Sequence, residues 1–169
     1  MRGCAGRDTQ QAAPSRRGSG PRKPRRTVIA VIDARVALKW FIEEDGSAQA
    51  TALLTGPHTL IAPDLIIAEV ANAGWKAVRS GGMTREQHDH AAARLPLAFD
   101  HLIPLAPLAP RAVAISRDLD HPVYDCFYLA LAEDRHATLV TADGRLLNRL
   151  RGTQWAPLGA NLHTMPPES

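Results

Sequence analysis

Four carboxylates in this chain stand in segments that are otherwise apolar. Asp33 ends the run Thr-Val-Ile-Ala-Val-Ile (27–32), and Glu69 interrupts Leu-Ile-Ile-Ala-Glu-Val-Ala-Asn (65–72). Asp125 lies in Tyr-Asp-Cys-Phe-Tyr-Leu-Ala-Leu-Ala (124–132), and Asp143 ends Thr-Leu-Val-Thr-Ala (138–142). Acids are rarely buried without a partner, and no matching set of Lys or Arg occupies the same stretches. Such a cluster invites a divalent cation, and a cation held by carboxylates most often serves phosphate chemistry. It orients and acidifies a water and neutralises charge growing on a phosphodiester. Each acid also has a plainer reading. Asp33 and Asp143 are placed to cap helices, Asp125 complements a helix dipole, and Glu69 is in reach of Lys76 on a solvated face. The set taken together points to a site.

The elements that must carry these acids alternate. A short β-branched run at 27–32 reads as a buried strand, followed by helices at 36–43 and 47–54. A strand at 59–62 stops at Pro63-Asp64, and Asp64 is placed to cap a helix from Leu65 to Arg79 that ends at Gly81-Gly82. Thr84 and Gln87 form a capping box for a helix running to about Phe99, kinked or ended by Pro96. A strand at 101–105 precedes a helix from Pro110 to Leu119. Pro122 opens another, reaching about His136. A strand at 138–142, a helix at 145–151 and an edge strand near 158–164 complete the pattern. Crossovers too long for hairpins predict an α/β fold, a parallel sheet covered by helices. In such sheets the active site lies beyond the carboxyl ends of the strands, where Asp33 and Asp143 stand. On the helix 65–79, Glu69, Asn72 and Lys76 share a polar stripe, with Ile66, Ile67, Val70 and Gly74 toward the core.

The 169 residues fit one compact domain, and 45% hydrophobic content suits a globular core. The formal charge of +3 misleads. Residues 1–26 hold eight basic side chains against Asp8, which leaves 12 basic and 16 acidic residues for 27–169. The body is net acidic and the basicity lives in a tail. That tail, rich in Arg, Gly, Ser and Pro, is expected to be disordered, as an electrostatic grip on RNA or as an inert extension. It has no apolar core of a secretory signal. Two cysteines, Cys4 and Cys126, argue against a disulfide framework and fit a reducing cytoplasm. No run of 18 apolar residues suggests a membrane span. The domain plan is therefore a basic extension at 1–26, a globular body at 27–165 and a short tail at 166–169.

The residues at 31–41 (Val-Ile-Asp-Ala-Arg-Val-Ala-Leu-Lys-Trp-Phe), 62–76, 124–132 and 139–146 (Leu-Val-Thr-Ala-Asp-Gly-Arg-Leu) resemble the PIN-domain family, specifically VapC-type toxins of bacterial toxin–antitoxin pairs. The resemblance covers roughly 27–165. It implies a three-layer α/β/α PIN-like fold with a central parallel sheet. It implies a metal-dependent endoribonuclease leaving a 5′-phosphate and a 3′-hydroxyl. By the same resemblance Asp33, Glu69, Asp125 and Asp143 are the acidic quartet. Asp33 and Asp125 are then the direct ligands of Mg²⁺ (or Mn²⁺), with Thr141 and Asn72 in support. It further implies a VapB-like antitoxin partner, with the apolar helices between 36 and 78 as a docking or homodimer face. One position departs from the family pattern. Two residues after the first acid, where Ser, Thr or Asn is usual, stands Arg35. It can pair with Asp33 and compete with metal, or grip a scissile phosphate.

Arg145 and Lys76 are the candidates for contact with RNA phosphates. Trp40, Trp75 and Tyr128 could stack bases, but packing is the plainer reading. His88 and His90 are two apart on a helix and point away from each other. Other phosphotransfer architectures fit less well. The first strand leads into Asp33-Ala34-Arg35 instead of Asp-x-Asp, and no Gly-x-Gly-x-x-Gly follows it. The competing function is a catalytically impaired PIN domain acting as a protein- or RNA-binding module, with Arg35 as its support.

Overall fold

The computed structural model describes residues 28–164. The basic extension at 1–26 and the tail at 166–169 lie outside these residues. Among the described residues, five strands form one sheet: β1 (Val28–Ile32), β2 (His58–Pro63), β3 (His101–Ile103), β4 (Thr138–Thr141) and β5 (Gly159–Asn161). All neighbours are parallel, in the order β3-β2-β1-β4-β5. The central strands read as near-continuous apolar runs because both faces are covered. Val31, Ile32, Leu139 and Val140 are fully buried.

Among the described residues, seven α-helices connect and cover the strands: α1 (Ala34–Leu38), α2 (Ser47–Thr55), α3 (Leu65–Ser80), α4 (Arg85–Arg94), α5 (Leu105–Leu119), α6 (Val123–Asp134) and α7 (Gly144–Leu150). The strand order runs outward from β1 to β3, then returns past β1 to β4. Right-handed crossovers place connections on opposite faces when the order reverses in this way. α6 lies against β1, β2 and β4 and is backed by α5, while α2 and α3 pack on β2 and α1 bridges α3 and β4. The result is the expected helix–sheet–helix sandwich, with its reversal point between β1 and β4.

The elements expected from sequence are present, with three corrections. The helix expected from Pro110 starts at Leu105, so Pro110 sits inside α5. Pro107 occupies the first turn, where a missing N–H has no intrahelical acceptor to lose, and Pro110 forfeits a single bond. The helix expected at 36–43 runs only from Ala34 to Leu38. Lys39 Nζ donates to Glu44 Oε1 and to the Asp45 carbonyl, both at 2.7 Å, and Trp40 Nε1 donates to the Ala50 carbonyl at 2.8 Å. These bonds fold the chain back instead of extending the helix. Asp64 occupies the N-cap of α3 but in helical backbone conformation, without a side-chain capping bond. Gly81, at φ 78°, ends α3 where the left-handed turn favours glycine. The Thr84–Gln87 capping box is formed in both directions, and residues 95–98 tighten into a 3₁₀ turn at Pro96.

Candidate active site

The register of β1 against β4 builds the floor of the crevice. Ile32 pairs with Val140, and the next residue, Asp33, donates its backbone N–H to the Val140 carbonyl at 3.3 Å. Asp33 thus emerges beside Thr141 at the carboxyl edge of the sheet. It caps α1 from extended backbone, and its Oδ1 accepts from the Val36 N–H at 2.8 Å. Its Oδ2 accepts from the hydroxyl of Thr141, which is wholly buried. The same hydroxyl oxygen accepts the Asp143 N–H at 2.9 Å. One threonine therefore ties the two strand-end acids together.

Burial dominates the ionisation of Asp33 and pushes its pKa to about 6. The bonds from Thr141 and Val36 and the charge of Arg35 oppose the shift, and the charge of Asp125 adds to it. Glu69 is also raised, first by burial, with the Tyr128 bond opposing and Asp125 again adding. Tyr128 donates its hydroxyl to Glu69 Oε2 at 2.5 Å. Burial and the nearby acids hold that phenol far above its ordinary range, so it stays a donor. Asp125, in the first turn of α6, repels Asp33 and Glu69 alike and stands electrostatically among them. A ring nitrogen of His121 donates to Asp125 Oδ2 at 2.7 Å.

Asp143 is arranged differently. Its Oδ1 accepts from the N–H groups of Arg145 and Leu146 at the start of α7, at 2.8 and 3.4 Å. Its Oδ2 lies 3.1 Å from an Arg35 nitrogen. Asp143 thus caps α7 through one oxygen and anchors Arg35 through the other. The alternative in which Arg35 pairs with Asp33 is corrected here: its ion pair is with Asp143. Glu69 likewise pairs with Tyr128, not with Lys76.

Among the described residues, no three acid, histidine or cysteine side chains close into a ready-made metal cage. The donor chemistry nevertheless suits a small, hard cation. Among the described residues, Asp125 Oδ1 and Glu69 Oε1 have no protein donor, and each Asp33 oxygen keeps a lone pair beyond its single bond. Two raised acids beside a third have charge to share with an ion. Mg²⁺ is commonly held through one or two carboxylates with water completing its shell, and Asp33 with Asp125 fits that description.

The supporting and substrate positions divide. Thr141 is joined to the acids as described. Asn72, Lys76 and Arg145 are exposed, and among the described residues no side-chain hydrogen bond links them to the quartet. His88 bonds the Ala71 carbonyl and His90 packs on Phe41, so they do point apart. Two residues at the site have roles that the sequence alone does not assign: Tyr128, whose plainer reading is packing, and His121. The signal for Tyr128 was its spacing, three after Asp125, which puts both on one face of α6.

The strand order, the crossovers and the convergence of acids define an open α/β domain with an acidic crevice at its reversal point. The family model of the PIN domain matches residues 30–152. The chain belongs to the PIN-domain family, and its sequence relatives place it with the VapC type. It is 33% identical over 118 residues to Ribonuclease VapC1 of Mycobacterium tuberculosis, covering 69% of this chain and 86% of that one. It is 30% identical over 121 residues to Ribonuclease VapC3 of Pyrobaculum aerophilum, covering 70% and 92%. Among solved structures, PAE2754 of Pyrobaculum aerophilum superimposes with a TM-score of 0.60 at 22% identity, covering 81% and 85%. A toxin–antitoxin complex from Klebsiella pneumoniae gives 0.57 at 18% identity, covering 83% and 98%. These two likenesses establish the fold.

Proposed function

We propose that this protein is a metal-dependent endoribonuclease, the toxin of a toxin–antitoxin pair. The observation that carries the reading is Asp33: a buried carboxyl at the sheet edge, held by Thr141 and Val36 and facing the charge of Asp125. Burial is the main cost of charging that carboxyl, and the Arg35 charge and the two hydrogen bonds offset it only in part, so a bound cation would stabilise it further. The ribonuclease names of the relatives support the substrate class.

Asp33 and Asp125 would hold Mg²⁺ or Mn²⁺. A divalent ion bound there acidifies water and neutralises charge on the phosphodiester. Thr141 fixes the Asp33 carboxylate, and His121 fixes that of Asp125. Tyr128 anchors one oxygen of Glu69 and leaves the other to accept a proton from the attacking water. Water adds to phosphorus in line, the 3′-oxygen leaves and takes a proton from solvent, and the products are a 5′-phosphate and a 3′-hydroxyl. Lys76 and Arg145 are proposed to meet RNA phosphates, and Asn72 to support the rim of α3.

The partner is a VapB-like antitoxin, a reading supported by the toxin–antitoxin complex among the structural neighbours. The chain is expected to act in the cytoplasm as a homodimer. No helix among the described residues is long and apolar enough to cross a membrane. Induced expression should arrest growth, and purified protein should cut RNA with Mn²⁺ and stop with EDTA. Asp125→Asn should do neither; arrest by that variant equal to the native protein's would sink the assignment.

A further inference from the structure

A cleft of about 290 Å³ is lined by Ala34, Leu38, Ala73 and Ala142 and by Arg35, Lys39 and Glu44; Ala34 and Ala142 are the chain neighbours of Asp33 and Asp143. Its two cations differ. Lys39 is 11% exposed and spent on Glu44 and the Asp45 carbonyl. Arg35 is 67% exposed, and among the described residues its one anionic partner is Asp143, reached through a single nitrogen. A guanidinium carries five N–H donors in a planar fork, so most of the Arg35 head is left for a ligand. Its aim is fixed. Asp143 is itself pinned by the start of α7 and by Thr141, and Arg35 sits on α1 two residues after Asp33.

We propose that Arg35, braced by Asp143, grips a phosphate of the RNA strand at the rim of the acidic pocket. The proposal rests on the ribonuclease reading and adds the residue that seats the substrate. An acidic body repels a polyanion, so a fixed cation beside the acids is the natural anchor, and an arginine fork takes phosphate oxygens in pairs. The small alanine side chains leave the cleft open for the adjoining sugar. The contrasting role is a plug, with Arg35 turned on the acids to keep a cation out.

The test measures binding separately from cleavage. The full chain carrying Asp125→Asn is titrated, in EDTA, into a fluorescein-labelled single-stranded RNA, and anisotropy is read across a salt series. Adding Arg35→Ala should weaken binding about tenfold, and losing one phosphate contact should lower the salt slope by about 0.7. Arg35→Lys keeps the charge without the fork and should fall between the two; this variant decides the matter if Arg35→Ala does not fold. Unchanged or tighter RNA binding in either variant overturns the proposal, as does an absence of RNA binding in the Asp125→Asn protein. Native protein that binds RNA through Arg35 but never cleaves it would remove the nuclease reading and leave this one standing. Cleavage with binding indifferent to Arg35 would do the reverse.

Discussion

Tyr128 on α6 donates its hydroxyl to Glu69 on α3 across 2.5 Å, joining two residues 59 positions apart in sequence. Tyr128→Phe removes the donor and leaves one oxygen of a half-buried acid unpaired. The loss should cost about 1 to 3 kcal/mol of stability. It should also slow RNA cleavage about tenfold, because each 1.4 kcal/mol of positioning lost is a factor of ten. Urea unfolding and single-turnover cleavage test this. Equal rates for the two proteins would show that Glu69 needs no anchor.

Asp33 sets a pH dependence with a definite sign. Its folded pKa, about 6, lies above the ordinary value, so between about 4 and 6 the native state keeps a proton that the unfolded chain has released. The stability this carboxyl contributes is present at low pH and is lost as pH rises through 6. Metal-free protein should gain from Asp33→Asn at pH 7.5, by about 3 kcal/mol at most, and by about half as much at pH 5. Thermal midpoints in EDTA at the two pH values measure it. A variant no more stable than the native protein at pH 7.5 would contradict the buried charge.

Divalent cation should reverse that penalty. Mn²⁺ at a hundred times its dissociation constant stabilises the native state by about 2.7 kcal/mol. The effect should fall below pH 6, where the ion must displace a proton. Asp33→Ala combined with Asp125→Ala should abolish the shift in thermal midpoint. A shift that survives both substitutions places the ion elsewhere.

Thr141 is wholly buried and serves two acids through one oxygen. Thr141→Val keeps the shape and removes the hydroxyl, leaving the Asp143 N–H and an Asp33 oxygen without their partner. It should destabilise by about 1 to 3 kcal/mol, whereas Thr141→Ser should retain most of the metal response. Equal urea midpoints for the Val and Ser variants would mean that the hydroxyl is idle.

The scaffold was readable because its signals are local. Apolar runs ending in Asp33 and Asp143, the Thr84–Gln87 box and Gly81 each act within a few residues, and the structure forms them all. Pro110 misled because a proline's effect depends on how far it lies from the helix start. Near the beginning of α5 it costs one bond or none. The partners of the acids were less readable. Arg35 could meet Asp33 two residues away or Asp143 across the sheet edge. Only the cap on α7, which turns one Asp143 oxygen toward Arg145 N–H and leaves the other free, decides it. Tyr128 looked like core because it is core; its one polar atom found Glu69.

The acids come from positions as far apart as 33 and 143, and β1 meets β4 only after every intervening helix has been made. The crevice between the acids is therefore completed only with the last long crossover, when β4 joins β1.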